Sequence, residues 1–311
     1  MSDQTNGKLA IGIDLGGTYI KGGVVTEEGE SLDRQSLETD AAQGLDTVVD
    51  HIAELVESLR SANQVSDGAL LGVGVGVPGV TTEEGVVILA PNLGWHGVPF
   101  REILHKKLGV HVAVDNDANV AALAEARVGI GAGCRQLVFL TLGTGIGGGV
   151  ILDGRIYHGS SYSAGEVGHT CIVPDGPVCA CGKPGCLEVL ASGPAMVRNL
   201  RSRMGDSWDP DNPATPESIC NGAAEGDKRC AEVVAETATY IGIAVANIIS
   251  VYSPEVVAIG GGISAAGDTL LTPIIESVQT NTLEGLFEHT RVQLAALGND
   301  AGYLGAAHLI L

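Results

Sequence analysis

At 311 residues, 45% of them hydrophobic, the chain is long enough for one large or two ordinary domains around a real core. Its 37 acidic residues outweigh 17 basic ones for a net charge of −20, and no basic cluster is longer than Lys106-Lys107, which argues against nucleic acid as the main ligand because duplex binding must neutralise several phosphates. Small anions remain possible, since local backbone N–H groups and Mg²⁺ can hold them whatever the global charge.

The start, MSDQTNGK, is polar and lacks the basic and apolar regions of a signal peptide. No apolar run approaches the ~20 residues of a membrane span; the best is IGIAVANIISVY over 241–252. A soluble cytoplasmic protein with no membrane partner is the expectation.

In chain order, LAIGIDLGGTYIKGGVVTEEGE over 9–30 reads as two strands around a glycine turn. Val48, Ile52, Leu55, Val56 and Leu59 fall at helical spacing within 47–62. LLGVGVGVPGV is a buried strand ending in Pro-Gly, VVILAPNLGW a short hairpin, and residues 100–107 a helix. VHVAVDND is a strand that ends in carboxylates, followed by an alanine-rich helix over 118–129. From spacing alone, Asp117 is an N-cap for that helix.

A second unit opens with LVFLTLGTGIGGGVILDGRI. Laid under the first, Gly16 meets Gly143 and Val25 meets Leu152, both offset by 127 residues. That suggests an internal duplication, against the alternative that two glycine-rich hairpins simply look alike. Helical patterns follow a cysteine cluster, then a loop over 205–216, a long helix over 230–250, the strand VVAIGGG and an apolar C-terminal helix over 301–311. This is an α/β protein with mixed sheets.

The glycine turns IDLGGT, LTLGTGIGGG and AIGGG follow strands, where backbone amides can approach a phosphate because no Cβ intervenes. Each alone is also ordinary hairpin chemistry. No GxxxxGK[ST] is present, and GxGxxG at Gly143, Gly145 and Gly148 leads into a strand where a dinucleotide site needs a helix. Asp14 shifts the balance: a carboxylate beside the amides of Gly16 and Gly17 repels a phosphate unless a cation bridges them, as Mg²⁺ does in a nucleotide site.

The motifs IGIDLGGTYIKGGVV, VGVPGV, APNLGW, DNDANVAALAE, LGTGIGGGVI, GEVGHx9CxCGxxGCxE and AIGGG occur in this order over 11–262. Together they resemble the ROK family of sugar kinases and related repressors, within the actin-like ATPase superfamily, and within that family they are most similar to the bacterial glucokinases. The resemblance implies a duplicated actin-like (ribonuclease H-like) fold of two lobes with a cleft between them, a small N-terminal lobe of 1–118 plus 300–311 and a large lobe of 119–299 with a zinc loop. It implies phosphates against Gly16, Gly17, Thr18, Gly143, Thr144 and Gly145, the nucleoside near Gly260, Gly261 and Gly262, and Asp14 holding Mg²⁺ through water. It makes Asp117 the base that takes the proton of the sugar hydroxyl, with Asn116 gripping the sugar alongside Gly79, Asn92, Glu166, His169 and Glu188. Asp115 is structural in this reading.

His169, Cys179, Cys181 and Cys186 form H-x9-C-x-C-x4-C, four ligands of the kind tetrahedral Zn²⁺ prefers. Four protein ligands close the shell, so the zinc is read as structural, a pin that fixes Glu166 and Glu188. A redox pair of Cys179 with Cys181 is the alternative, though C-x-C matches C-x-x-C poorly. Cys171, Cys134, Cys220 and Cys230 are expected as packed thiols.

The resulting expectation is an ATP-dependent kinase of glucose at its 6-hydroxyl, with ATP, Mg²⁺ and structural Zn²⁺, assembled as a homodimer or homotetramer. The alternatives are a kinase of mannose, fructose or N-acetylmannosamine, polyphosphate as donor, or a sugar-responsive regulator. Against the regulator, only ten residues precede the first motif, too few for a helix-turn-helix domain.

Overall fold

The computed structural model describes residues 7–311; the first residues of the polar start lie outside the described residues. The chain divides into two compact units. The first runs to Gly133 and takes in Arg155–Ala164 and Asn299–Leu311; the second comprises Cys134–Gly154 and Gly165–Gly298.

The first unit opens with β1 (Leu9–Leu15), β2 (Tyr19–Thr26) and β3 (Ser31–Glu38). Helix α1 (Leu45–Ala62) follows and buries Val48, Ile52, Leu55, Val56 and Leu59, the stripe its spacing predicts. Next come β4 (Leu70–Val77) and a three-stranded sheet of β5 (Val80–Thr81), β6 (Val87–Ala90) and β7 (Trp95–Val98). Then α2 (Phe100–Leu108), β8 (Val112–Asn116) and α3 (Asp117–Arg127) complete the run. The main sheet has the order β3-β2-β1-β4-β8, with β1, β4 and β8 parallel and the first hairpins antiparallel. In β1 only Asp14 escapes full burial, as a central strand covered on both faces requires; β3 alternates exposed and half-buried residues, as an edge strand does.

The second unit repeats this plan. Its strands are β9 (Leu137–Leu142), β10 (Ile146–Leu152), the two-residue β11 (Arg155–Ile156), which opens the segment counted with the first unit, and later β12 and β13. Helices α4 (Leu187–Ala191), α5 (Gly193–Met204), α6 (Pro216–Ala224) and α7 (Lys228–Tyr252) precede β12 (Val256–Gly260). Helix α8 (Asp268–Asn281) and β13 (Arg291–Leu294) close it. The sheet order is β11-β10-β9-β12-β13, the order of the first unit. The strands flanking the two glycine turns, Leu15 with Leu142 and Tyr19 with Ile146, are offset by the same 127 residues that the motif alignment gives. This is the mixed α/β architecture of the actin-like ATPases. Helix α7 is long and apolar enough to cross a membrane by composition, yet 61% of its most apolar stretch is buried, in the second unit's core.

The last helix, α9 (Ala301–Ala307), belongs to the first unit and presses onto β1 and β4. A Cβ on Gly12 would lie 1.8 Å from the Tyr303 carbonyl oxygen, and one on Gly305 would lie 1.6 Å from that of Val120 in α3. Backbone against backbone at this range admits only glycine. The α3–α9 contact also moves the unit boundary. The lobe bounds that the resemblance implies put residues 119–133 and 155–164 in the large lobe; by compactness both segments group with the first unit, where α3 packs against α9.

Candidate active site

Asp14 is the next-to-last residue of β1, and Asp115 and Asn116 end β8, so all three sit at the carboxyl ends of parallel strands, where open α/β sheets place ligands. The turn after β1 is closed by Gly16 N–H donating to Tyr19 O at 3.0 Å. Buried Thr39 fastens it from behind, its hydroxyl donating to Gly16 O at 2.7 Å and its N–H to Thr18 O at 2.9 Å. Gly17 and Thr18 face outward, and nothing lies within 4 Å of a Cβ built on Gly17. Burial raises the pKa of Asp14, opposed by the Lys21 ammonium. A Cβ on Gly302 would strike the Asp14 carboxyl carbon at 2.5 Å, so α9 lends Asp14 its space through a glycine. A half-buried carboxylate offers an oxygen that suits a hydrated Mg²⁺, and the open amides beside it suit a phosphate.

The spacing-based N-cap falls one residue earlier than Asp117. Asn116 caps α3, its Oδ1 accepting from Ala118 N–H at 2.9 Å and Asn119 N–H at 3.1 Å. Its Nδ2 donates to Gly79 O and to Asp117 Oδ1, each at 2.9 Å. The Asn116 side chain is thus fully engaged, and a sugar contact through it would exchange one of these bonds. Asp117 is the first helical residue, its Oδ1 also taking the Ala118 N–H at 2.8 Å. Burial pushes its pKa up to about 6, the Ala118 N–H works against this, and the charge of Asp14 adds to it. A carboxylate poised there matches a general base near neutral pH.

Gly79 holds φ 106°, and a Cβ there would lie 2.0 Å from Leu89 O. Asn92 is exposed in the turn after β6. Asp115 is 5% exposed and accepts from Asn116 N–H, Asn119 Nδ2 and His158 Nε2, so its structural assignment agrees with its bonds.

In the second unit, Gly143 N–H donates to Gly145 O at 3.0 Å, and Gly193 N–H at the start of α5 donates to Gly143 O at 2.9 Å. Gly143, Thr144 and Gly262 border a cavity of about 740 Å³. Its other walls include Val197, Arg198, Trp208, Pro216 and Ile263. That volume suits a nucleotide. Gly262 is exposed there, whereas Gly260 is buried against the Phe139 ring and Gly261 holds φ 84° against Leu142. Gly193, at the start of α5, and Trp208 and Thr39, in the connections after α5 and β3, escape a sequence reading because they lie outside the glycine motifs.

His169, Cys179, Cys181 and Cys186 offer ligand atoms that all lie within 4.8 Å of one another. Cys181 Sγ is 3.6 Å from Cys186 Sγ, and Cys179 Sγ is 3.8 Å from His169 Nδ1. A tetrahedron with Zn–S ≈ 2.3 Å and Zn–N ≈ 2.0 Å has edges of about 3.5–3.8 Å, so the set fits the ion. Burial, and after it the neighbouring thiols, push Cys186 up to about 12, so without a cation it stays a neutral thiol, and a bound dication would favour its thiolate. The cysteines are free, and the loop turns through Gly182 and Gly185 at φ 85° and 66°. Cys171, expected as a packed thiol, is exposed beside the cluster, while Cys220 is buried and Cys134 and Cys230 are half-buried.

Glu188 ties this loop to the glycine turn. Its Oε2 accepts from Ile146 N–H at 3.1 Å, and its Oε1 lies 3.7 Å from Cys179 Sγ. Glu166 and His169 are exposed on the short turn before the loop.

The family model of the ROK family matches residues 10–311. This chain belongs to the ROK family. The glucokinase of Thermotoga maritima is 38% identical over 311 residues, covering 96% of each chain. A solved ROK family glucokinase from Streptomyces griseus, in complex with glucose and AMPPNP, superposes with a TM-score of 0.81 at 34% identity, covering 97% of this chain and 98% of that one. The xylose repressor of Caldicellulosiruptor bescii is 34% identical over 97% of this chain and 77% of its own length. Family membership therefore admits both catalytic and regulatory members.

Proposed function

We propose that this ROK protein transfers the γ-phosphoryl group of ATP to the 6-hydroxyl of glucose. The chain is an ATP-dependent hexose kinase. The observation that carries the finer reading is Asp117, a carboxylate held by Asn116 and the α3 N-terminus with its pKa raised to about 6, the poise of a base that accepts a hydroxyl proton. The nucleoside goes to the cavity beside Gly143, Thr144 and Gly262, and the phosphates to the amides of the glycine turns. Asp14 would hold Mg²⁺ through water, and the ion supplies charge neutralisation on the transferring phosphoryl group. Asn92, Asn116, Glu166, His169, Glu188 and the Gly79 backbone are assigned to the sugar hydroxyls, which need directional donors and acceptors. Zn²⁺ on His169, Cys179, Cys181 and Cys186 is structural. One imidazole nitrogen is a metal ligand, which leaves the other for a hydroxyl. A homodimer or homotetramer belongs to the same reading, and light scattering tests it.

The deciding experiment is a coupled assay over glucose, mannose, fructose and N-acetylmannosamine with ATP and polyphosphate as donors. The expected result is the highest kcat/KM for glucose with ATP. Preference for another hexose or for polyphosphate would replace the substrate assignment. No turnover with any pair, together with sugar binding, would favour the regulatory reading that likeness to the xylose repressor motivates.

A further inference from the structure

The segment Arg155–Ala164 is counted with the first unit although the chain on either side of it belongs to the second. Its hold on the first unit is polar and specific. His158 Nε2 donates to Asp115 Oδ2 at 2.6 Å, and the other oxygen of this buried carboxylate takes Asn116 N–H at 2.7 Å and Asn119 Nδ2 at 2.9 Å. The His158 ring lies against that of Tyr162, with centroids 5.1 Å apart, and the Tyr162 hydroxyl donates to Glu83 Oε2 at 2.8 Å. Ala164 N–H closes the loop on His158 O at 3.1 Å. Tyr162 sits at φ 57°, a left-handed conformation unfavourable for a side chain of its size, and it stays there because contacts on both sides hold it.

These bonds form a chain that ends on the carboxylate assigned as base. Asp115 fixes the backbone N–H of Asn116, and the Asn116 amide holds Asp117 Oδ1. With only 5% of Asp115 exposed, loss of the imidazole would leave one oxygen of a buried carboxylate without its donor, a cost that favours turning the carboxylate away from its other partners. We propose that His158 is a positioning residue for phosphoryl transfer: by donating to Asp115 it locks the tip of β8, and with it the orientation of Asp117. It touches no reacting atom. The proposal rests on the kinase reading for its kinetic consequence and on geometry alone for its structural one.

The test contrasts His158→Phe, which keeps a ring against Tyr162 but has no donor, with His158→Gln, whose amide can donate to Asp115. Misplacing a base by a fraction of an ångström costs about 10–100-fold in kcat. The expected result is that loss in the Phe variant, an unchanged KM for ATP and recovery of most of kcat in the Gln variant. Hydrogen exchange, which needs no turnover, should quicken at Asn116, Ala118, Asn119 and residues 158–164 in the Phe variant only. Wild-type kcat in the Phe variant, equal losses in both variants, or unchanged exchange would each overturn the proposal. If the Phe variant does not fold, His158→Ala supplies the contrast: kcat rising with added imidazole supports the positioning role, and a flat response overturns it. If the wild-type protein phosphorylates no sugar, the kinase reading falls, and the exchange pattern alone decides whether His158 orders the tip of β8.

Discussion

At the scale of single residues, the strand tip at Asp115–Asp117 divides its work among neighbours. Asp115 is buried and fully bonded, Asn116 caps α3, and Asp117 holds a carboxylate whose ionised form burial disfavours. The sign of the resulting pH dependence follows from linkage. Below pH ~3.8 the group is protonated whether the chain is folded or unfolded. Between there and about 6 the folded state keeps a proton that the unfolded state releases, so the group's contribution to stability is lost as pH rises and its penalty is complete above 6. Asp117→Asn should therefore stabilise the protein at pH 7, by about 1–3 kcal/mol once partial solvent access is allowed for, while kcat falls about 10²–10⁴-fold. Denaturant melts and initial rates on the same preparation check both. In the wild type, the acid limb of kcat/KM is expected near pH 6. A variant that keeps wild-type turnover would remove Asp117 from the chemistry.

At the scale of elements, two close approaches do most of the positioning. Helix α9 reaches β1 and α3 through Gly12, Gly302 and Gly305, and its sequence AGYLGAA is small because backbone meets backbone there. Gly305→Ala would place a methyl 1.6 Å from Val120 O, so α9 must lift. A loss of about 3 kcal/mol or more is expected, at the upper end of overpacking costs. Thermal melts measure it, and a neutral result would mean that the contact relaxes freely. The cysteine loop is the second such element. On the proposed zinc assignment the loop would take its rigidity from the metal, so one Zn²⁺ per chain is expected by elemental analysis. Cys186→Ser should lose that metal and open the loop to proteolysis. Because Glu188 bonds Ile146 N–H next to the glycine turn, the KM for ATP should rise with it.

At the scale of the whole molecule, the chain builds two cores. One gathers β1, β4 and α1 around Ile11, Ile13, Ile52 and Val75; the other gathers β9, β12 and α7 around Leu140, Ile241 and Ile259. Units with separate cores need not melt together. Scanning calorimetry should resolve more than one transition, with a calorimetric enthalpy above the van't Hoff value. A single two-state transition would show that the units are strongly coupled.

Much of this molecule was legible in the residues themselves. Hydrophobic period, glycine turns and the offset of 127 residues follow from local chain chemistry, and the four zinc-type ligands lie close enough in sequence that one loop must bring them together. The place of Asp117 on the first turn of a helix was also local, but the cap proved to be Asn116, since which of two adjacent polar residues caps depends on where the strand stops. Other features had no local signal. Helix α9 returns from the far end of the chain to give Asp14 its space, Thr39 braces the first glycine turn, Trp208 walls the cavity, and His158 reaches Asp115 across 43 residues. Periodicity and turn chemistry are properties of neighbours along the chain, whereas burial, close backbone approach and the bonding of a buried carboxylate exist only once distant segments have packed.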